Sequence, residues 1–228
     1  DAKMSTLRRR LVSIGMIHKL KGHYLDTKHP VIIENLMGIK RTKGSIQRGK
    51  KPLLINHLKA IVDVINKEKT EEIKKIRDKS IILVGFGGGF RRTELISVNY
   101  EDLEFVPEGV KITLRRSKTD QFGEGMTKGL PYFSNEIYCP VAHLKKWIKI
   151  SNIKDGPVFR RFVKGCSLTS NRLTDQSVVL LIKRYLELAG IENKNYSGHS
   201  LRSGFATVSA ESGADERSIM AMTGHKTT

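Results

Sequence analysis

The sequence predicts a mainly α-helical protein of the α+β class with one small, three-stranded antiparallel β-sheet. Through most of the 228 residues, apolar side chains recur at spacings of three and four, the pattern of helices with one buried face. Short alternating runs lie between residues 103 and 132, where Pro107 and Gly109 supply a turn signal. The length allows one large domain, or a complete domain with part of another.

The charge balance indicates a polyanionic partner. Lys and Arg number 41 against 23 Asp and Glu, which gives a net charge of +18. Residues 1–52 alone hold 13 basic and 3 acidic side chains, so more than half of the excess lies there. No stretch approaches the roughly 18 apolar residues of a membrane span, and the first residues lack the pattern of a signal peptide. We therefore expect no membrane partner.

The two cysteines favour a reducing, intracellular setting. Cys139 and Cys166 are far apart in the sequence and match neither a metal-ligand spacing nor a CxxC motif. We expect no metal site and no cofactor.

The basic first segment is predicted to form two helices, one over residues 6–20 and a second that Pro30 opens. Two helices of this size make a poor domain, so we interpret residues 1–44 as the end of a helical domain. Residues 45–52 are the predicted linker, and residues 53–228 form the larger domain. The basic side chains that we expect to bind DNA are Arg8, Arg9, Arg10, Lys40, Arg41, Lys43, Arg48, Lys50, Lys51, Arg115 and Arg116.

The larger domain is predicted to hold most of the helices and all three strands of the sheet. The strands are expected at residues 103–106, 110–116 and 126–132. A connector with a brief strand is expected at residues 156–159. The helices are expected to begin near Asn56 and Glu71 and to cover residues 140–151, 174–190, 198–212 and 216–222.

The glycine cluster after the second of these helices, Gly85-Phe86-Gly87-Gly88-Gly89, has two interpretations. One is a phosphate-binding loop, but the cluster follows a helix and lacks the GK[ST] ending of such loops. The other, which we favour, is a helix end where backbone segments pack closely.

The stretch from Tyr196 to Thr207 is the strongest candidate for a site. His199 and Arg202 are one helical turn apart and lie off the apolar stripe, so both can point at one external object. His199 falls in the first helical turn, where free N–H groups and the helix dipole favour a phosphate. The alternative is a solvated arginine beside an incidental capping histidine.

Two more groups of polar residues precede this stretch. Glu94 follows Arg91 by three residues and can hold its guanidinium, although an ordinary surface ion pair would have the same spacing. Lys118 lies at the tip of a predicted hairpin beside Arg115 and Arg116, where it could reach into a DNA groove or simply be solvated.

Taken in order, these elements resemble the tyrosine recombinase (phage integrase) family over nearly the whole chain. The matching segments are Phe90-Arg91-Arg92-Thr93-Glu94-Leu95, Ser117-Lys118-Thr119, Gly198-His199-Ser200-Leu201-Arg202 and Thr223-Gly224-His225. The resemblance implies the catalytic-domain fold shared with type IB topoisomerases, preceded by the end of a core-binding domain that clamps DNA. It implies double-stranded DNA as the partner and a metal-independent reaction. It also implies a bacterial or phage protein that is located in the cytoplasm and associated with the nucleoid.

The same resemblance implies a role for each matched residue. A tyrosine attacks the scissile phosphate to form a 3′-phosphotyrosine link, while Arg91 and Arg202 clamp the phosphate oxygens. Lys118 protonates the leaving 5′-oxygen, and His199 accepts or positions the tyrosine proton. His225 hydrogen-bonds a phosphate oxygen, and Glu94 supports Arg91.

One part of the family pattern is missing, since the nucleophilic tyrosine would fall shortly after Thr228. Tyr196 is close to the HxxR motif, but it precedes that motif and is a weak substitute. We expect a fragment that binds DNA as a monomer without cleaving it, whereas the full-length protein would act as a homotetramer on synapsed DNA. The expected function is site-specific recombination or integration of a mobile element; the alternatives are a non-catalytic DNA-binding remnant and a type IB topoisomerase.

Overall fold

The computed structural model describes residues 2–44, 49–115 and 125–224. Lys118, Arg48, Arg116 and His225 therefore lie outside the described residues. The chain divides into two compact units, Asp1–Gly49 and Lys50–Thr228, and the division falls within the predicted linker.

The first unit contains α1 (Met4–Leu20) and α2 (Pro30–Lys43), which pack against each other. Pro30 occupies the first turn of α2, where its missing N–H leaves no bond unmade. The predicted apolar faces are only partly covered, since Ile14, Ile17 and Met37 are each about half exposed.

Seven helices of the second unit fall within the described residues. They are α3 (Ile55–Lys67), α4 (Glu72–Gly87), α5 (Arg92–Ser97), α6 (Pro140–Ser151), α7 (Asp175–Leu188), α8 (His199–Glu211) and α9 (Glu216–Thr223). The centre is α4, which is buried from Ile76 to Phe86 and contacts α3, α5, α6, α7 and α8. The sequence predicted the start of each helix outside α5 to within about two residues, because caps and apolar periodicity mark those points.

The predicted three-stranded sheet is present. Its strands β1 (Leu103–Val106), β2 (Gly109–Leu114) and β3 (Met126–Pro131) are antiparallel in the order β1-β2-β3. Along β3 the side chains alternate, so that Lys128 and Leu130 face the interior while their neighbours are exposed.

A second antiparallel pair, β4 (Arg160–Phe162) with β5 (Leu168–Arg172), was not predicted. We expected only a connector with a brief strand at residues 156–159, where the structure has a single bridge between Pro157 and Asn99. In the polar Thr169-Ser170-Asn171 run of β5, Thr169 alone is β-branched and no residue is aromatic, so the run carries little of the composition that marks a strand.

The glycine cluster ends α4 and does not form a phosphate loop. Gly89 has a φ of +54°, and the N–H of Phe90 donates to Gly85 O at 3.1 Å, which is the geometry of a Schellman cap. The carbonyls of Gly88 and Gly89 accept bonds from buried cations, so this turn presents acceptors rather than the N–H donors that phosphate requires. The phosphate-loop alternative is therefore wrong.

Among the described residues, no helix has both the length and the apolar character needed to cross a membrane.

Candidate active site

Arg91 and Glu94 form the first half of the site at the start of α5. The Arg91 N–H donates to Glu94 Oε2 at 2.9 Å, and Arg91 Nη1 donates to Oε1 at 2.5 Å. Glu94 is only 3% exposed, so this is a buried, two-point contact and not a surface ion pair. The pair fixes the Arg91 guanidinium relative to the helix that begins beside it.

Arg202 forms the second half, on α8. Its Nη1 donates to Gly89 O at 3.1 Å and lies 4.0 Å from Glu94 Oε2. Its Nε and Nη2 are buried and have no hydrogen-bond partner within the described part of the chain. The alternative of a solvated arginine is wrong for Arg202, because α8 packs on α4 and Arg202 is 1% exposed.

Burial and the neighbouring Arg91 charge lower the pKa of Arg202 to about 10, while Glu94 opposes this shift. The guanidinium is therefore still charged at neutral pH. Two donor nitrogens on a buried cation that have no partner among the described residues are costly without an acceptor, and an anion would supply one.

Lys128 is a member of this cluster that the motif analysis missed. Its Nζ donates to Gly88 O at 2.9 Å and Gly89 O at 3.3 Å, and it lies 3.8 Å from Glu94 Oε2. It also lies 4.5 Å from the centre of the Phe90 ring, and its side chain is completely buried. Period-two alternation along β3 places residue 128 on the same side as Leu130, and this was the available signal.

Burial lowers the pKa of Lys128 to about 8. The Glu94 carboxylate opposes the shift, and the charges of Arg202 and Arg91 add to it. Three cations thus surround one carboxylate, so the described centre of the site has an excess of positive charge.

His199 is the first residue of α8 and is exposed, as predicted. Partial burial of its ring lowers the pKa of His199 below its ordinary value, and the charges of Arg202 and Arg91 act in the same direction. The neutral ring is therefore favoured at physiological pH and can accept a proton.

A cavity of about 470 Å³ lies between the start of α5 and the start of α8. It is lined by Arg91, Arg92, Thr93, Ser197, Gly198 and His199. The structure thus brings the Arg91 and HxxR motifs to one concave, basic surface. Arg92 lines the same cavity and is held by Asp175 at 3.0 Å.

The Thr223-Gly224-His225 motif also contacts the Arg91 side chain, through Gly224. This glycine caps α9 with a φ of +63°. Arg91 Nη2 donates to Gly224 O at 3.5 Å. His225 and Lys118 lie outside the described residues, so their roles stay predictions.

The described residues expected to bind DNA are exposed, and some of them also have partners within the protein. Lys50 donates to the Lys194 carbonyl at 2.6 Å, and Arg115 pairs with Asp102 at 2.7 Å. The exposed members are Arg8, Arg9, Arg10, Lys40, Arg41, Lys43, Lys50, Lys51 and Arg115.

Tyr196 does not offer a substitute nucleophile. It is 5% exposed, and its hydroxyl lies 3.3 Å from His57 Nε2 on α3. Burial also raises its pKa, which disfavours the phenolate. The described residues include no group of three or more His, Cys, Asp and Glu side chains that could hold a metal ion.

Comparison with known proteins decides the family. Residues 51–228, which include every element of the site, match the phage integrase family. This chain belongs to that family. It is 40% identical over 229 residues to the integrase/recombinase xerD homolog of Selenomonas ruminantium. This match covers 99% of this chain and 66% of that relative. It is 27% identical over 175 residues to the tyrosine recombinase XerD of Corynebacterium glutamicum, covering 76% of this chain and 52% of that relative.

Solved integrase-family structures share the fold. The XerH site-specific recombinase bound to its difH substrate has a TM-score of 0.63 at 18% identity, over 99% of this chain and 64% of that one. The Tn1549 transposon integrase with a circular intermediate DNA has a TM-score of 0.60 at 15% identity, over 99% of this chain and 78% of that one. This chain spans about half to two thirds of the length of the two curated relatives above.

Proposed function

We propose that this integrase-family protein is a site-specific DNA recombinase that cleaves and rejoins DNA through a 3′-phosphotyrosine intermediate. The observation that carries the proposal is the convergence of Arg91 and Arg202 on the buried Glu94 carboxylate, beside the cavity that His199 lines. Relatives named as tyrosine recombinases and integrases support it, as does the DNA in the structures of similar fold.

The charges suit phosphoryl transfer. Negative charge accumulates on the non-bridging oxygens as the nucleophile adds, and fixed guanidinium groups stabilise that charge without reorganising. Arg91 is held by Glu94, whereas Arg202 has the N–H groups of Nε and Nη2 available for a phosphate. Arginine suits this task because its planar fork binds an oxyanion at two points and stays charged.

Proton transfer completes each strand cleavage. As the tyrosine oxygen bonds to phosphorus and the bond to the 5′-oxygen breaks, His199 accepts the phenolic proton and Lys118 supplies one to the leaving oxygen. His225 bonds a phosphate oxygen. Rejoining reverses these transfers when the 5′-hydroxyl of a partner strand attacks the phosphotyrosine, so that no metal or nucleotide is consumed.

The DNA partner and the assembly follow from charge and family. The basic residues of both units would bind duplex phosphates, residues 1–44 as the end of the core-binding domain and residues 53–228 as the catalytic domain. We propose a homotetramer on synapsed DNA for the full-length protein and a monomer for the chain of 228 residues. The proposed location is the nucleoid of a bacterial or phage-infected cell, consistent with a mobile element.

The test uses a nicked suicide substrate that carries the cognate site. A chain that includes the expected tyrosine beyond Thr228 should form a DNA adduct that survives denaturant, and the 228-residue chain should bind the DNA without forming one. Arg202→Lys should reduce adduct formation by roughly 10²-fold or more, since one oxyanion donor is worth that much. The control, Arg184→Lys, removes an exposed guanidinium that pairs with Glu68 and should have no effect.

Two results would contradict the recombinase proposal. No adduct from the tyrosine-containing chain would favour the non-catalytic DNA-binding remnant. Relaxation of supercoiled plasmid without dependence on the cognate site would favour a type IB topoisomerase. An adduct formed by the 228-residue chain and mapped to Tyr196 would overturn the assignment of the nucleophile.

A further inference from the structure

The ammonium group of Lys128 is surrounded by acceptors. Gly88 O and Gly89 O lie at 2.9 and 3.3 Å, and Glu94 Oε2 lies at 3.8 Å. The two carbonyls belong to the end of α4, where the helix dipole favours a cation. The side chain is completely buried, so its ammonium group has no access to a substrate. Lys128 therefore cannot be the proton donor to a leaving group.

The charge on Lys128 does not serve stability. Its pKa of about 8 in the folded protein is below its ordinary value of 10.5. Between these two pH values the unfolded chain binds more protons than the folded one, so stability rises with pH through that window. At neutral pH, where Lys128 is charged, the fold carries the full cost of that burial. An apolar residue on this face of β3 would avoid the cost.

Two of the acceptors around Lys128 are also within reach of Arg202. Gly89 O accepts from Arg202 Nη1 at 3.1 Å as well as from Lys128, and Glu94 Oε2 is 4.0 Å from the same guanidinium nitrogen. Without Lys128, both acceptors would be open to Arg202, whose Nε and Nη2 have no partner among the described residues. A small rotation of the Arg202 side chain would then pair these donors inside the protein.

We propose that Lys128 is a positioning residue that keeps the Nε and Nη2 donors of Arg202 available to the scissile phosphate, by engaging the competing acceptors on Gly89 and Glu94. The inference rests on the proposed function for the identity of the phosphate. Lys128 is expected to affect phosphate binding indirectly, because it contacts Glu94 and the backbone carbonyls and does not contact the anion.

The test measures binding of inorganic phosphate to the 228-residue chain, with side-chain ¹⁵N NMR of the arginine Nε–H groups. The Arg202 signal is identified by its loss in Arg202→Lys. In the wild type it should move on addition of phosphate. In Lys128→Met it should already be displaced without phosphate, and phosphate affinity should fall by about tenfold, equivalent to about 1.4 kcal/mol. Lys111→Met, on exposed β2 surface and paired with Glu104, is the matched control and should match the wild type.

A double-mutant cycle separates positioning from simple loss of positive charge. If Lys128 acts by occupying Glu94, then Lys128→Met should cost much less phosphate affinity in a Glu94→Gln background. Additive effects would overturn the inference, as would equal phosphate affinity in Lys128→Met and the wild type. Lys128→Gln, whose amide can still bond one or both carbonyls, keeps the test available if the methionine variant does not fold, and its loss of affinity should be smaller.

The outcome also separates this inference from the proposed function. A wild-type chain whose Arg202 signal does not respond to phosphate would overturn the phosphate clamp, and the inference with it. A wild-type chain that binds phosphate as expected, alongside a Lys128→Met chain that binds it equally well, would overturn the inference alone.

Discussion

At the scale of single residues, Glu94 determines the electrostatics of the described site. Its carboxylate bonds Arg91 directly and lies within 4.0 Å of nitrogens on Lys128 and Arg202. One buried anion thus partly compensates three cations, which leaves an excess of positive charge. Partial burial lowers the pKa of His199, and the charges of Arg202 and Arg91 lower it further.

We predict that His199 titrates below pH 6.5 in the free 228-residue chain. Partial burial and the charges of Arg202 and Arg91 disfavour the imidazolium. Arg202→Met should raise the His199 pKa towards its ordinary value. The measurement is an NMR titration, with the signal identified by its loss in His199→Asn. The folded chain should also lose stability as the pH falls through 6.5, because the unfolded state then binds the extra proton first. A His199 pKa above 6.5 in the free chain would contradict this account.

The sequence predicted most of the site at the residue scale because its motifs are local. Arg91 and Glu94 are three residues apart and His199 and Arg202 are one turn apart, so helical geometry alone relates each pair. Lys128 was missed because its partners are distant in sequence and belong to a turn of α4. The depth of Arg202 was missed for a related reason: a helical wheel shows which residues share a face, but it does not show what covers the other faces.

At the scale of elements, α8 is held by the segment that leads into α3. The N–H of Leu53 donates to Ser200 O at 2.9 Å, and the N–H of Lys51 donates to Asn195 O at 2.8 Å. Gly204 allows this contact, because a Cβ there would lie 2.1 Å from the Leu53 carbonyl oxygen. The helix that carries His199 and Arg202 is thus positioned by backbone bonds as well as by its apolar face.

Gly204→Ala should therefore destabilise the second unit by about 1–3 kcal/mol, the usual cost of overpacking. The clash is with backbone, which cannot move aside as the end of a side chain can. The measurement is urea unfolding, and Gly129→Ala is the control, since a Cβ at that exposed strand position has no atom within 4 Å. Unchanged stability in Gly204→Ala would show that the segment around Leu53 is free to move away from α8.

Helices and strands were predicted correctly where proline or glycine marks their ends, and they were missed where the sequence has no clear start or stop signal. Pro30 and Pro140 each occupy the first turn of a helix, and Gly190 has a φ of +72° just after α7. The β4–β5 hairpin has a turn in which Gly165 and Cys166 both have positive φ. Nothing about a cysteine predicts that conformation, so this element depends on tertiary packing and not on local sequence.

At the scale of the whole molecule, charge distribution is the property that bears most directly on DNA binding. The first 52 residues carry more than half of the net charge of +18. In the second unit, the basic cavity lies at the end of α4 where Gly88 and Gly89 are found. The opposite end of α4 is about 24 Å away for a helix of 16 residues. The chain reaches that end from α3 through the exposed Lys67, the last residue of α3, and the exposed Lys69.

We predict that duplex DNA binding weakens steeply with salt, by about 0.9 log units of affinity per log unit of salt for each phosphate neutralised. Replacing Arg8, Arg9 and Arg10 together by alanine should weaken binding to all sequences and should reduce the salt slope by up to that amount for each phosphate that these arginines neutralise. The measurement is fluorescence anisotropy at several salt concentrations. The control replaces Lys67 and Lys69 at the far end of α4, which removes positive charge away from the cavity and should leave the slope nearly unchanged. An unaltered slope in the triple variant would remove α1 from the DNA interface, and an affinity that does not depend on salt would contradict the electrostatic basis of binding.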